Sequence, residues 1–261
     1  MASRCSRPDL ARWLLLACAC AALPTVHAQD VAPCPAAPPA AVAAGTPNNV
    51  RMVTGVPYSA LGTSETVITL PDGSRVVRQN IIRQWRDSDG RTRSEISLTT
   101  IGGSLPVELN TKVTVIDDPA AGERYMLRPG EKVAVTMPIV PCRPDANSLE
   151  PDLTVGPPRP SNLPMTVSAP VTLGKRKVDG ETVAGRRIEA TIPAGAMGNS
   201  KPIRMSAEQW YGMDLQVVVE ATYRDPRTGE TRYRLSHIER AEPDAALFQV
   251  PDNYRREPRH K

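Results

Sequence analysis

Closely spaced turn motifs constrain the fold of this chain more than any other feature of its sequence. Asp-Gly stands in "LPDGSR" (70–75) and again in "RDSDGRTR" (86–93), and Val, Ile and Thr are common in the runs around them. An Asp-Gly pair between alternating runs is a strong short-range indication of a β-hairpin. No stretch of ten residues has a convincing helical period, and the 27 prolines and 17 glycines agree with this. We therefore predict an all-β or β-dominated protein with very little helix.

The strands follow from the turns and from the period-2 alternation between them. We predict them at roughly 59–70, 75–86, 91–98, 112–117, 123–128, 131–138, 187–193, 202–211, 215–224 and 231–239. Only "PDAAL" (243–247) is expected to make a helical turn. The expected architecture is one curved, half-barrel-like antiparallel sheet of about ten or eleven strands, built from two similar halves.

One turn sequence occurs twice, as "DPAAGERYML" (118–127) and "DPRTGETRYRL" (225–235). Asp-Pro starts a type I turn, since Pro fixes φ and the Asp side chain bonds the backbone ahead. Gly122 and Gly229 are expected to close the two loops with positive φ. In the strand that follows the second copy, Tyr233 and Leu235 should face inward. Arg232 and Arg234 should face water.

The N-terminus has the three parts of a secretory signal peptide. Arg4, Arg7 and Arg12 precede an apolar stretch at 13–23, and small residues follow at 26–28. Eleven apolar residues are too few to span a bilayer, which needs about 20. We expect cleavage after Ala28 and export to the periplasm or the medium, with no transmembrane segment left after processing. A lipid anchor on Cys18 is the alternative.

Proline-rich stretches divide the rest of the chain. We predict this order of segments: a signal peptide at 1–28, a Pro/Ala-rich leader at 29–48, an N-terminal β half at 49–137, a Pro-rich linker at 138–170, a C-terminal β half at 171–254 and a solvated basic tail at 255–261. The whole chain carries a net charge of +4, and much of that charge lies in the signal peptide and the tail. The body is close to neutral, which does not favour a nucleic-acid partner.

Processing would leave two of the five cysteines, Cys34 and Cys142. In an oxidising compartment an even pair indicates one disulfide, and two free thiols are the alternative. The bond would close a loop of about 108 residues and stabilise the protein by about 4–5 kcal/mol in the chain-entropy model. We expect peptide mapping without reductant to recover Cys34 and Cys142 in one bridged pair. Alkylation of both thiols in the native protein would contradict this.

The sequence contains little that indicates catalysis or a bound metal. "DSDG" (87–90) lacks the calcium-loop spacing, because Gly stands fourth instead of sixth and position 12 is Leu98. His237 is expected to be a half-buried strand residue, with a general base as the alternative. No G-x-S-x-G, P-loop or G-x-G-x-x-G motif occurs. We predict neither cofactor nor metal, and no enzymatic activity.

A binding surface is the remaining prediction. In "LQVVVEATY" (215–223) the odd-numbered side chains share one face, and aromatic residues are few elsewhere. The expected ligand-facing residues are Trp85, Trp210, Val217, Val219 and Tyr223. The leading hypothesis is non-catalytic binding of an apolar or lipidated ligand. An envelope interaction or sensing module without cargo is the first alternative, and an enzyme of unknown class is the second.

Several stretches carry a resemblance to known families. Residues 57–95, 192–203 and 208–254 resemble a family of uncharacterised bacterial secreted proteins without an established activity. "EPDAALFQVPDNY" (242–254) resembles the closing segment of the periplasmic lipoprotein-carrier superfamily. That resemblance implies a half-barrel whose apolar concave side holds acyl chains, with a lipid, an acyl chain or an envelope protein as partner. Such carriers have helices that plug the half-barrel, whereas this sequence predicts almost none, so the leader and 138–170 would have to replace them.

Overall fold

A computed structural model of the protein describes residues 49–101, 112–142 and 164–258, together with Ala32. These residues form fifteen strands: β1 Asn49–Arg51, β2 Tyr58–Thr69, β3 Arg75–Arg86, β4 Thr92–Ile101, β5 Lys112–Asp118, β6 Glu123–Arg128, β7 Val133–Pro138, β8 Val140–Cys142, β9 Thr166–Val167, β10 Val171–Val178, β11 Glu181–Ile192, β12 Ile203–Gly212, β13 Val217–Asp225, β14 Gly229–Glu239 and β15 Arg255–Pro258. A single 3-10 turn, Ala245–Phe248, is the only helical element within these ranges. None of this described part forms a helix with the length and hydropathy needed to traverse a bilayer.

Thirteen of the strands form one curved sheet that is not closed into a barrel. Its order is β10-β11-β12-β13-β14-β2-β3-β4-β5-β6-β7-β15, with β9 paired to β11 beside this path. The chain therefore enters at the middle with β2 and runs outward to β7. It then resumes at the opposite edge with β10 and returns to pair β14 with β2. The β-dominated, curved sheet predicted from the sequence is confirmed.

The repeated turn occupies equivalent places in the two halves of the sheet. The first copy joins β5 to β6 and the second joins β13 to β14, which are the fourth and fifth strands of β2–β6 and of β10–β14. Gly122 and Gly229 have φ of 67° and 92°, as predicted. Leu235 is fully buried and Tyr233 half-buried, while Arg232 and Arg234 are exposed. The stretch is a bend in each half of the sheet.

The sheet has more strands than predicted, and one of its pairings is parallel. β9 has two residues and lies in the predicted 138–170 linker, as does β8. β15 lies in the predicted tail and pairs in parallel with β7, while β1 and β8 form a separate parallel pair. Part of the predicted tail thus forms an edge strand, while three of the four side chains of Arg255–Pro258 are exposed. Strands of two to four residues are too short to show a period-2 pattern, which is why the sequence did not predict them.

The apolar core consists of three clusters of buried side chains. The first contains Tyr58, Ala60, Val178, Val183, Leu215, Val219 and Leu235. The second contains Ile116, Tyr125, Leu127, Ala134, Phe248 and Val250, so the segment after β14 packs onto β5, β6 and β7. The third, at the far end of β11 and β12, contains Ala190, Ile192 and Met205.

Candidate functional site

The two faces of the sheet are distinguished by the strand register, because directly paired residues point to the same side. One continuous row of direct partners runs across β14, β2, β3, β4 and β5: Leu235, Gly62, Ile82, Ile96 and Val113. We call their side the Leu235 face. Another row runs across β12, β13, β14, β2 and β3: Trp210, Glu220, Arg234, Thr63 and Ile81. We call that side the Trp210 face.

An apolar surface that belongs to none of the three core clusters lies on the Leu235 face of β3 to β7. Two rows of direct partners form it, and we call it the apolar floor: Ile82, Ile96 and Val113, and Val115, Met126 and Val135. All six side chains are half-buried. Five neighbouring strands thus place half-buried apolar side chains side by side on one face, an arrangement that suits an apolar ligand.

A buried polar group adjoins the apolar floor on the same face. Tyr58 and Arg86 are direct partners at one end of β2 and β3, and Gln84 follows on the floor side. The Tyr58 hydroxyl donates to Gln84 Oε1 at 3.4 Å. Tyr233 lies over Gly62, where a Cβ would be 2.9 Å from its ring. Burial raises the pKa of both Tyr58 and Tyr233, so both phenols are neutral at pH 7.

Arg86 is the charged member of this group and is only 5% exposed. Its Nε donates to the carbonyl of Val56 at 3.0 Å, and its Nη2 donates to the carbonyl of Leu215 at 2.5 Å. The guanidinium carbon lies 4.8 Å from the centre of the Tyr58 ring. Burial lowers the pKa of Arg86, since removal from water disfavours the charged form.

The Trp210 face is mostly charged where β10 to β14 meet β2. The Trp210 ring packs directly against Gly185, where a Cβ would be 2.6 Å away. Arg176 covers the ring with its guanidinium 4.0 Å from the centroid and pairs with Glu220 beyond it. The indole Nε1 donates to Glu208 at 2.8 Å. Trp210 is therefore held within an ionic network and does not line the apolar floor.

Trp85 also points to the Trp210 face, as the direct partner of Arg93. It packs against the second core cluster, which the segment after β14 covers. Arg93 connects this segment to the sheet, since its Nη1 donates to the carbonyl of Leu247 at 2.9 Å. Both tryptophans proposed from the sequence thus lie on the side away from the floor.

A β-bulge in β13 interrupts the alternation on which the other predicted site residues depend. Trp210 pairs with Glu220, but Tyr211 pairs with Val218, so Val219 is the extra residue. Val219 is fully buried in the first core cluster. Val217 is the direct partner of Gly212, on the side of Trp210, whereas Tyr223 pairs with Ala207 on the Leu235 face. Trp210 and Val217 pack against the first core cluster, which contains Val219, whereas Trp85 and Tyr223 lie apart from it, so the five residues do not form one surface.

His237 differs from its predicted half-buried environment, because it is exposed and has a φ of 52°. It lies where the register between β14 and β2 shifts, between Ser236 and Glu239. Its Nδ1 is 3.1 Å from the Ser236 hydroxyl, which also lies 3.2 Å from the carbonyl of Leu61. The Ser236 hydroxyl thus lies within hydrogen-bonding distance of both the His237 ring and a backbone carbonyl of β2.

The "DSDG" loop is closed by an arginine. Asp87 is 2% exposed and accepts from the backbone N–H and the Nε of Arg91, at 2.8 and 2.6 Å. Ser88 donates to Glu242, which joins the loop to the segment after β14. No group of three potential metal ligands occurs within the described residues. Cys142 is buried, while Cys34 lies outside those residues, so their pairing stays a prediction.

The floor and its polar neighbours were not predicted from the sequence. In "NIIRQW" (80–85), Ile81 and Ile82 are adjacent, and alternation alone cannot tell which of them faces inward. Only the pairing with Ile96 and Val113 identifies the floor. The sequence did contain one indication of this face. Gln84 and Arg86 follow Ile82 at intervals of two residues, so the three side chains lie on the same side of the strand.

Comparison with known proteins gives solved structures alone: no family model matches this chain, and no curated protein matches it. The chain is similar to an uncharacterised conserved protein from Thermus thermophilus, with 8% identity over 78% of this chain and 91% of the other and a TM-score of 0.38. It is similar to LprF from Mycobacterium bovis, with 13% identity, coverage of 77% and 90%, and a TM-score of 0.33. It is also similar to a LolA-superfamily protein from Nitrosomonas europaea, with 9% identity, coverage of 76% and 92%, and a TM-score of 0.31.

Proposed function

We propose that this protein binds an apolar or lipidated ligand on the Leu235 face, without catalysis, in the bacterial cell envelope. The observation that carries the proposal is the apolar floor, whose six side chains from five strands lie outside every core cluster. A surface of this kind on a folded chain favours a binding role over a structural one. The signal-peptide pattern of residues 1–28 supports the location.

The opposite face supports this assignment by its chemistry. There Trp210 and Trp85 are engaged by Arg176 and by the segment after β14, so both aromatic rings are already covered. The charged pairs across β12 to β14 keep that face hydrated. An acyl chain or another apolar group would therefore bind on the Leu235 face.

Adjacent isoleucines of β3 provide a matched test. Ile82 lies on the floor, while Ile81 is 41% exposed on the Trp210 face. We expect Ile82→Asn to weaken binding of a fluorescent fatty acid by at least about tenfold, because it buries an amide against the ligand chain. Ile81→Asn should leave the affinity within about twofold. The measurement is a titration of delipidated mature protein, with urea unfolding of each variant to confirm that it is folded.

Two outcomes would reject the proposal. If the unchanged protein binds no apolar probe at micromolar concentration, the envelope interaction module without cargo becomes the better hypothesis. If both isoleucine variants lose affinity equally, the ligand does not bind on the Leu235 face. Because Trp85 and Trp210 lie on the other side, the probe's own fluorescence is the appropriate readout.

A further inference from the structure

Buried charges in this protein are paired, with one exception. Within the described residues five charged side chains are buried, and four of them have an oppositely charged partner. The pairs are Asp87 with Arg91, Asp117 with Arg124, Glu181 with Arg240 and Asp225 with Arg227. The fifth is Arg86. An unpaired charge in a protein interior is costly, so its presence calls for a specific reason.

No carboxylate in the described part of the chain offsets the charge of Arg86. The titratable groups that act on it are the phenols of Tyr58 and Tyr211, and burial raises the pKa of both. Two backbone carbonyls accept from Arg86, and these use two of the five N–H donors of a guanidinium. Among the described residues no acceptor is seen for the other three donors.

A second arginine converges on the same place. Arg51, at the end of β1, is exposed, and its charge, like that of Arg86, lowers the pKa of Tyr211 against the larger raising effect of burial. Tyr211 is half-buried and close enough to both arginines for their charges to act on it. No ion pair joins Arg51 to a described carboxylate. Two cations around a neutral phenol create a local positive potential that an anion would neutralise.

The position of this arginine pair relative to the apolar floor indicates what kind of anion fits. Ile82, Gln84 and Arg86 follow one another on the Leu235 face of β3. Four residues of a strand span about 13 Å, so the guanidinium lies at one end of the floor. A molecule with an apolar chain and a charged end would contact both regions at once.

We propose that buried Arg86, together with exposed Arg51, binds the anionic head group of an amphiphile whose apolar chain lies on the floor. This inference rests on the proposed function and narrows its ligand to chains that end in a phosphate or a carboxylate. Arg86 supplies a preoriented buried charge, and exposed Arg51 completes the site from the solvent side. A neutral lipid of the same length lacks the group that offsets the Arg86 charge.

The test compares ligands that differ only at the head. Dodecyl phosphate, dodecanol and inorganic phosphate are titrated separately into the delipidated mature protein by calorimetry, at constant ionic strength because salt screens charge. We expect dodecyl phosphate to bind at least about tenfold more tightly than dodecanol, since hydrogen bonds to charged groups have this strength. Arg86→Gln should reduce that preference to about twofold or less, without changing the affinity for dodecanol.

Arg51→Gln keeps the test valid if the Arg86 variant does not fold, because Arg51 is exposed. We expect it to reduce the preference at least about threefold, whereas the control Arg83→Gln, an exposed arginine on the Trp210 face, should leave it unchanged. Equal affinity for dodecyl phosphate and dodecanol would overturn the inference and leave the proposed function standing. Equal affinity for inorganic and dodecyl phosphate would assign the site to the free anion and overturn the inference. Failure of both dodecyl compounds to bind would remove the proposed function and this inference together.

Discussion

Gly229→Ala is expected to lower the free energy of unfolding by about 3–5 kcal/mol, whereas Gly122→Ala should lower it by about 1–2 kcal/mol. Both glycines have positive φ in the two copies of the same turn, so both alanines introduce backbone strain. The copies differ in what surrounds them. A Cβ on Gly229 would lie 2.9 Å from the carbonyl carbon of Val67 and closer still to its oxygen, while at Gly122 the nearest atom is 3.7 Å away.

Urea unfolding of the two variants measures the difference directly, because the strain is common to both. The excess at Gly229 reports the contact between the turn and β2, the strand where the two halves of the sheet join. Equal losses in both variants would show that this close approach does not exist in solution. Gly73→Ala is a further control, since Gly73 has a φ of 85° and open space around it.

The second copy of the turn also has a buried carboxylate that links its stability to pH. Asp225 is 1% exposed and accepts from the backbone N–H and side chain of Arg227. Burial raises the pKa of Asp225, but the bonds from Arg227 outweigh it and the pKa is lowered. A lowered pKa in the folded state stabilises the protein above the unfolded pKa of Asp. That stabilisation is lost as the pH falls through the pKa of Asp225 in the folded state.

Local sequence patterns were sufficient for most of the strands. Asp-Gly and Asp-Pro turns fix where hairpins begin and end, so the predicted 75–86 and 123–128 coincide with β3 and β6. The single helical turn predicted at 243–247 is the 3-10 helix Ala245–Phe248. Pairing between distant segments has no local pattern, and this is why the parallel pairs β1–β8 and β7–β15 were not predicted.

The candidate site was less predictable than the strands, because it depends on register. A shift of one residue moves every later side chain to the other face, and the bulge at Val219 makes such a shift within one predicted strand. The sequence therefore placed Val217 with Tyr223, although their partners Gly212 and Ala207 lie on opposite faces. The apolar floor arises from five strands whose register only the folded chain reveals.

Phe248→Ala is expected to destabilise the protein by about 3–5 kcal/mol, the usual loss for a buried phenylalanine. Phe248 is 3% exposed within the second core cluster, and the guanidinium of Arg91 lies 5.4 Å from its ring centre. The neighbouring Gln249 is exposed, so Gln249→Ala should change stability by no more than about 0.5 kcal/mol. Chemical unfolding at neutral pH measures both values.

The same variant separates the covered face from the binding face. The segment around Phe248 packs beside Trp85 and Tyr125 on the Trp210 face, while the floor lies on the other side of β3 to β7. Under conditions where Phe248→Ala remains folded, its affinity for the fluorescent fatty acid should stay within about twofold of the unchanged protein. A destabilisation of less than about 1 kcal/mol would contradict the assignment of Phe248 to the core of the Trp210 face. A large loss of affinity would contradict the assignment of ligand binding to the Leu235 face. The Trp210 face, which this segment covers, and the Leu235 face would then not be independent of each other. The ligand could no longer be assigned to the Leu235 face alone.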